Sequence, residues 1–396
     1  KTCARKGSRN YDFGKNDVLA GIYIHVPFCR RMCNYCDFHF SVSLRRKDEM
    51  LEALLRELEE RKGYLKGEPV TTLYFGGGTP TVYAPAELDR IIRKVKDLFG
   101  VEAFTEVTVE ANPDDLTAAY LDEVVRTDVS RLSIGVQSFD DAHLRFFNRR
   151  HDGKTAFEAV KRAKEAGFAN LTIDLIYGVP GMSLQQWERN LELFFRLEIP
   201  HLSAYHLTIE PRTIFGRMAR QKRLTAVPDR TSVLHYECLE RRLAAAGYRH
   251  YEISNFALPG SEAVHNSGYW QGVPYLGVGP SAHSYDGTER SWNVRSNPAY
   301  LRGVFGGEDY RERELLTPTD RFNEYLMTGL RTARGVDAAR IERVFGAQKL
   351  FELRRSATGF FRQGLLREEE GRIFIPTEHF LLSDHIVSAL FRLGDC

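Results

Sequence analysis

Three cysteines at close spacing are the residues of this sequence best suited to chemistry. Cys29, Cys33 and Cys36 have the spacing C-x3-C-x2-C and come directly after an apolar run, residues 21–28. Three thiolates on one short loop suit a soft metal centre. A tetrahedral zinc site would need a fourth ligand, and no further Cys or His completes a familiar zinc pattern here. A four-iron cluster held by three thiolates leaves one iron open, so we expect an iron–sulfur site; three buried structural thiols are the alternative.

The cysteine loop follows the first of several apolar segments that alternate with helical patterns. The predicted strands, rich in β-branched and aromatic residues, cover residues 22–26, 71–75, 106–110, 131–136, 171–177, 201–207 and 251–256. The predicted amphipathic helices cover residues 46–62, 86–99, 117–125, 154–166, 183–196 and 229–246. Strict alternation predicts a parallel sheet, and about six βα units fit an open, incomplete (β/α)8 barrel.

Polar and glycine residues lie at the carboxyl ends of these predicted strands, where barrels of this kind carry their chemistry. They are the three cysteines, residues 76–80, Glu110 with residues 111–113, Gln137, Asp174, Tyr205 and His206, in the order of the first six strands. We therefore expect these side chains to share one mouth. The run GGGTP at residues 76–80 lacks the Lys of a phosphate-binding loop. It predicts either backbone contacts to an ammonium group or a tight turn.

The pattern changes after about residue 256. We expect four parts: a leader over 1–20 without regular structure, a barrel over 21–256, an irregular connection over 257–317, and a C-terminal domain over 318–396. In the last part, helical patterns cover residues 321–332, 337–345, 351–363 and 382–391, with a hairpin near residues 365–376. Helices followed by a hairpin predict a winged-helix-like module.

Composition excludes several classes of protein. A net charge of +2 argues against a dedicated nucleic-acid binder. The sequence contains no run of 18 apolar residues and therefore predicts no transmembrane helix. Residues 1–15 lack the apolar core of a secretory signal. Six cysteines, three of them clustered, indicate a reducing compartment with a metal site rather than a disulfide framework.

The motifs around the cysteines resemble those of the radical S-adenosylmethionine (SAM) superfamily. The resemblance is carried by YIHVPFC at residues 23–29, the cysteine spacing, GGGTP at 76–80, SIGVQSF at 133–139 and DLIYGVPG at 174–181. Together they are similar to the branch that contains oxygen-independent coproporphyrinogen III dehydrogenase and the HemW heme chaperones. The resemblance runs from about Tyr23 to the C-terminus. It implies a partial (β/α)6 TIM-like radical SAM barrel with a C-terminal α+β, winged-helix-like domain.

The resemblance also implies which positions hold the cofactors. Cys29, Cys33 and Cys36 would hold a [4Fe-4S] cluster whose fourth iron chelates SAM. The positions that match the SAM site of the family are Tyr23, Tyr35, Gly77, Gly78, Thr79, Glu110, Gln137, Arg149, Asp174 and Thr208. Among them, Glu110 would take the ribose hydroxyls and Arg149 the methionine carboxylate. Salt bridges across the barrel mouth are the alternative role of the charged residues, and an iron–sulfur protein without SAM is the alternative for the whole site.

Two features distinguish the branches of this family. The dehydrogenase carries an extra Cys two residues after the third cluster ligand, where this chain has Phe38. Residues 265–270, HNSGYW, match the H-N-x-x-Y-W motif of HemW. Imidazole is a common axial ligand of heme iron and aromatic rings stack on a macrocycle, so His265, Tyr269 and Trp270 become the expected heme residues. His206 and His283 are weaker candidates.

We therefore expect a heme chaperone that transfers heme to apo-cytochromes or other respiratory hemoproteins, with the cluster and SAM as cofactors. The alternative is a radical SAM enzyme acting on porphyrins, such as the dehydrogenase, so enzymatic activity stays open. The resemblance implies a cytoplasmic protein. It leaves open a peripheral, transient contact with the inner membrane and a homodimer.

Overall fold

A computed structural model describes residues 20–391 of the chain. Its core is six parallel strands that pair in sequence order. They are β1 (Ala20–Val26), β2 (Val70–Gly77), β3 (Glu106–Ala111), β4 (Arg131–Gln137), β5 (Asn170–Tyr177) and β6 (His201–His206). Their side chains are almost all buried, as expected when helices cover a parallel sheet. The leader expected over residues 1–20 lies outside the described residues, except for Ala20.

Helices connect these strands. They are α1 (Lys47–Glu60), α2 (Pro85–Phe99), α3 (Ala118–Val124), α4 (Asp141–Phe146), α5 (Gly153–Glu165) and α6 (Leu184–Leu197). In α1, Leu51, Leu54 and Leu58 lie on one face and are buried against the sheet. Helix α2 begins after Ala84, whose N–H donates to the Glu87 carboxylate, and ends at Gly100 in the left-handed conformation.

The six strands do not close on themselves. Strand β6 is followed by α7 (Ile214–Arg220), α8 (Asp229–Ala245), β7 (Arg249–Glu252) and β8 (Asn255–Ala257). Strand β8 pairs antiparallel with β6 and with β7, so the single strand expected over residues 251–256 is two strands of a hairpin. The expectation of a partial (β/α)6 barrel is confirmed.

The stretch 257–317 differs from the irregular structure that its composition predicts. It contains α9 (Val264–Gln271), β9 (Tyr275–Val278), β10 (His283–Tyr285), β11 (Glu289–Asn293), α10 (Asn297–Gly306) and β12 (Arg311–Leu315). Strand β9 is parallel to β1 and continues the sheet on its open side, and β10, β11 and β12 follow antiparallel. Strands of three to five residues are too short to give a clear alternation in the sequence.

A buried carboxylate joins this extension to the barrel. Glu57 of α1 is fully buried. Its oxygens accept hydrogen bonds from the Gly279 N–H at 2.8 Å, the Asn293 amide at 2.8 Å and the Tyr300 hydroxyl at 2.6 Å. Arg61 lies 3.5 Å away and donates to the Gly277 carbonyl. A buried charge needs such partners, so Glu57 fixes the position of β9–β11 against α1.

The C-terminal part has winged-helix topology. It comprises α11 (Pro318–Gly329), β13 (Val336–Asp337), α12 (Ala338–Phe345), α13 (Ala347–Arg362), β14 (Arg367–Glu369), β15 (Arg372–Phe374) and α14 (Ser383–Leu390). The three strands form a separate sheet in the order β13–β15–β14, with the hairpin turn at residues 370–371.

Over residues 20–391, no helix is long and apolar enough to span a membrane.

Candidate functional site

The three cysteines lie on the loop between β1 and α1. None of them forms a disulfide, and all three are partly exposed. Backbone hydrogen bonds hold the loop in place: the Cys29 N–H donates to the Ser41 carbonyl at 3.0 Å and the Asn34 N–H to the Phe147 carbonyl at 3.0 Å. The loop is therefore fixed against residues that follow β4, as the shared mouth requires.

A continuous hydrogen-bonded chain connects two of the thiols through Thr79, Asn112 and Arg149, which follow β2, β3 and α4. The Thr79 hydroxyl lies 3.5 Å from the Cys29 Sγ and accepts from the Asn112 amide at 3.1 Å. The Asn112 oxygen accepts from Arg149 Nη2 at 2.5 Å, and Arg149 Nη1 donates to the Cys33 Sγ at 3.3 Å. Asn112 was not among the predicted site residues, although its place after β3 could have pointed to it.

The three thiols provide the number and type of ligands that a four-iron cluster with one open iron takes. Burial raises the pKa of Cys29 to about 12 and that of Cys36 to about 11, and the neighbouring thiols add to both shifts. A positive metal centre reverses this preference for the neutral thiol. Within the described residues, no three His, Cys, Asp or Glu side chains are arranged to hold one metal ion. A four-iron cluster is wider than an ion, so its thiolates need not converge on one point.

Arg149 carries a second indication that a ligand belongs here. Its Nη2 also donates to the Gly135 carbonyl at 2.6 Å, whereas its Nε is buried and has no acceptor. A buried N–H without an acceptor is costly. A carboxylate would satisfy it, which agrees with the predicted role of Arg149.

Glu110 is the centre of a second group of predicted residues. Its carboxylate accepts from the Tyr74 hydroxyl at 2.8 Å and from the Gly77 N–H at 3.2 Å. The Tyr23 ring stacks on Tyr74 with centroids 6.0 Å apart. Burial raises the pKa of Glu110 to about 7, and the charge of Asp174 adds to the rise. Tyr23, Gly77, Glu110 and Asp174 thus share one electrostatic environment.

Gly77 and Gln137 have backbone conformations that ordinary residues avoid. Gly77 has φ of +103°, and a Cβ on it would lie 2.5 Å from the His25 ring. A Cβ on Gly78 would lie 2.5 Å from the Phe28 carbonyl oxygen. The run is thus a tight turn packed on the end of β1. Gln137 has φ of +67° at a shift in the β4–β5 register, and its side chain is buried. Such strain is typical of functional sites.

Tyr35, Asp174 and Thr208 are the other predicted SAM residues. Tyr35 packs edge-on against Phe147 with centroids 5.3 Å apart, next to the cysteines. Burial raises the pKa of Asp174 to about 6, although Ser203 and Arg131 oppose the rise. Thr208 is exposed just beyond β6. Arg131, which the sequence reasoning missed, is fully buried at the start of β4 and adds positive charge beneath this group.

His265 lies at the start of α9 and is buried. Its Nδ1 is 2.8 Å from the Thr72 hydroxyl and its Nε2 is 2.8 Å from the Tyr269 hydroxyl. Its ring stacks on Tyr74 at 5.1 Å, and its N–H donates to Glu106 at 3.1 Å. Burial lowers the pKa of His265 to about 3, so the imidazole is neutral. Both ring nitrogens already have partners within the protein.

A cavity of about 680 Å³ lies between the cysteine loop, α9, the β10–β11 hairpin and helices α11 and α12. This volume is within the range of small-molecule sites, about 300–1,000 Å³. Tyr269 and Trp270 line it, together with Phe38, Tyr325 and Phe345. His283 also lines it, whereas His206 bonds to Ser232 at 2.8 Å elsewhere. The structure therefore brings Tyr269 and Trp270 to the cavity and places His265 behind Tyr269.

Two family models and two known relatives are similar to this chain in sequence. Residues 23–194 match the family model of the radical SAM superfamily, and residues 316–381 match the HemN C-terminal domain. The heme chaperone HemW of Bacillus subtilis is 33% identical over 382 residues, which cover 94% of this chain and 99% of that one. The heme chaperone HemW of Escherichia coli is 34% identical, over 78% of this chain and 82% of that one.

Among solved structures, the coproporphyrinogen III oxidase HemN of Escherichia coli, described as a radical SAM enzyme, is similar in fold. Its TM-score is 0.81 at 25% sequence identity, and the match covers 95% of this chain and 90% of that one.

Proposed function

This chain belongs to the HemW family of the radical SAM superfamily, and from that membership we propose that it is a heme chaperone. It binds heme and transfers it to apo-cytochromes or other respiratory hemoproteins. The observation that supports this most is the cavity of about 680 Å³ beside the cysteine loop. Its aromatic side chains provide flat apolar surface for a macrocycle, and its lining residues come from both the barrel and the C-terminal domain.

Two histidines are candidates for the iron ligand. His265 is the residue that the H-N-x-x-Y-W motif favours, and its Nε2 becomes available once the Tyr269 hydroxyl moves away. His283 borders the cavity directly, stacked on Trp292 with centroids 5.9 Å apart. No hydrogen bond to its ring nitrogens is formed by the residues of the described chain, so His283, unlike His265, has no such bond to break before it binds iron.

The cofactors that the family implies fit the mouth of the barrel. Cys29, Cys33 and Cys36 would hold a [4Fe-4S] cluster, which, when bound, supplies an iron with an open position for SAM. Arg149 would bind the SAM carboxylate through its unpaired Nε, and Glu110 would accept from the ribose hydroxyls. The hydrogen bonds from Thr79 and Arg149 to the thiols would stabilise the thiolates.

The protein acts in the cytoplasm under this proposal. Recipients in the respiratory chain require contact with the inner membrane face during transfer, and such contact would be peripheral and transient. A homodimer is the further state that the family resemblance implies, with the cluster and SAM regulating heme transfer.

Heme titration tests the proposal. Heme is added to the anaerobically reconstituted protein and to the variants His265→Ala and His283→Ala, while absorbance is followed. The wild-type protein should bind heme with a saturable spectrum. A variant that removes the iron ligand should change that spectrum, so an unchanged spectrum and affinity in His265→Ala would move the assignment to His283. Absence of heme binding by the wild-type protein would refute the chaperone function.

A radical SAM enzyme acting on porphyrins is the second candidate, because the fold is similar to that of the E. coli oxidase. Phe38 argues against it: this side chain is 71% exposed at the cavity edge, where the dehydrogenase has Cys. Anaerobic incubation with coproporphyrinogen III and SAM distinguishes the two. Formation of protoporphyrinogen IX together with 5′-deoxyadenosine would favour the enzyme.

A further inference from the structure

We propose that Arg321 and Arg340 bind the two propionate carboxylates of heme, so that the cavity selects a dianionic tetrapyrrole over a neutral one. The inference rests on the proposed function and adds to it the part of the ligand that faces the C-terminal domain. Arg321 lies on α11 and Arg340 on α12, and both line the cavity. Neither belongs to the barrel or to the H-N-x-x-Y-W segment.

The charges around the cavity do not balance. Four arginines line it, with two carboxylates, Asp37 and Glu324. Arg295 binds Asp37, donating to its carbonyl and lying 3.8 Å from its carboxylate. Arg290 binds Glu324 at 2.8 Å. Both carboxylates are therefore paired with other arginines, and the guanidinium groups of Arg321 and Arg340 remain without a carboxylate partner among the residues that line the cavity.

The two remaining arginines lack anionic partners in the protein. Over residues 20–391, neither Arg321 nor Arg340 forms an ion pair, and the buried Nε of Arg321 has no hydrogen-bond acceptor. Arg340 lies over the Tyr325 ring at 4.9 Å, which leaves the edge of its guanidinium free for in-plane acceptors. A buried donor without an acceptor is costly, so an anionic ligand at this place would relieve that cost.

Tyr285 lines the same cavity as these cations and is influenced by three of them. Burial and the charge of Glu324 raise the pKa of Tyr285, whereas Arg290, Arg321 and Arg340 each lower it. All three guanidinium groups therefore lie within electrostatic range of one phenol, although they come from β11, α11 and α12. Arg290 is paired, so its neighbours are the two that remain for a ligand.

The arrangement gives the cavity two ends of different character. Tyr269 and Trp270 line the side next to the barrel and the cysteine loop, and Arg321 and Arg340 line the side formed by the C-terminal domain. A flat macrocycle with carboxylates on one edge would place its apolar edge against the first and its carboxylates against the second. The C-terminal domain would thus hold the charged edge of the ligand.

Comparison of heme with heme dimethyl ester tests this site. The ester keeps the iron and the macrocycle but has no carboxylate charges. Charge-assisted hydrogen bonds of this kind change affinity about tenfold or more for each group removed. The wild-type protein should bind heme at least tenfold more tightly than the ester. Arg321→Gln and Arg340→Gln should each weaken heme binding by a similar factor, leave ester binding unchanged, and leave the iron-ligand spectrum unchanged.

Arg343→Gln is the matched control, because Arg343 lies on the same helix as Arg340 and does not line the cavity. Arg321→Lys and Arg340→Lys should retain part of the preference, since they keep the charge but lose the two-pronged geometry. Equal affinity of the wild-type protein for heme and its ester would overturn the carboxylate site while the heme-binding function stands. Absence of binding to both would overturn the function and the site together.

Discussion

Glu110 should make the stability of the cluster-free protein depend on pH. Its pKa is raised by burial from an ordinary value of 4.5 to about 7. The folded state therefore keeps a proton at pH values where the unfolded state has released it. Protonation stabilises the fold fully below about pH 4.5, and this contribution is lost as the pH rises through about 7. Glu110→Gln, which is neutral at every pH, should remove the effect.

The magnitude follows from the difference between the two pKa values. Raising the pKa from 4.5 to about 7 corresponds to about 3.5 kcal/mol, at about 1.4 kcal/mol per pKa unit. About 2.5 kcal/mol of this stabilisation is lost as the pH rises from about 5 to about 8. The figure is an upper value because Glu110 keeps some exposure to water, which screens the ionised carboxylate. Asp174, whose pKa is raised to about 6, adds a similar dependence.

Urea unfolding of the two proteins at several pH values, under reducing conditions, measures the effect. The stability difference between Glu110→Gln and wild type should be smallest near pH 5 and should move in favour of the variant by about 1–2.5 kcal/mol near pH 8. The contribution of Asp174 largely cancels in this difference. Glu102→Gln serves as a control, because Glu102 is exposed next to the same strand. Parallel stability curves for Glu110→Gln and wild type would refute the reasoning.

Three further outcomes are expected. Glu57→Gln should lower the free energy of unfolding by about 3 kcal/mol, because buried donors lose their anionic acceptor. Urea unfolding measures this loss of stability. A loss below about 1 kcal/mol would contradict the role of the Glu57 hydrogen-bond network. Gly77→Ala should destabilise the mouth of the barrel, since the new Cβ would lie 2.5 Å from the His25 ring and the backbone φ is +103°. Calorimetry should show weaker SAM binding by this variant. Binding with wild-type affinity would contradict this prediction. Arg149→Leu should reduce the iron and sulfide content after reconstitution, because the Cys33 thiol loses its hydrogen bond of 3.3 Å to a cation. An unchanged iron and sulfide content would exclude a role of Arg149 in holding the cluster.

The sequence was a good guide wherever one element carries its own signal. The βα alternation over the first 206 residues predicted all six parallel strands of the barrel within two residues of their bounds. The carboxyl ends of parallel strands meet at one edge, so Glu110, Asp174 and the cysteines could be expected at a common mouth. Asn112 and Arg131 were missed because neither belongs to a recognisable motif, and their roles come from neighbours distant in sequence.

The region after residue 257 shows the limit of that reasoning. Strands β9, β10 and β11 have three to five residues each, which is too few for a period to be visible. They form because β1 offers a free edge and because Glu57 binds Gly279 and Asn293. Pairing between strands more than 250 residues apart has no local signature.

The cysteine spacing and the order of the strands by themselves determined the cofactor chemistry that this chain suits and the place where it would occur. The tertiary structure alone decided how the residues predicted to bind heme are arranged. It buried His265 between Thr72 and Tyr269, and it brought Arg290, Arg321 and Arg340 to the same cavity. Spacing along the chain records which side chains share a loop, whereas packing between the barrel and the C-terminal domain determines which charges lack a partner.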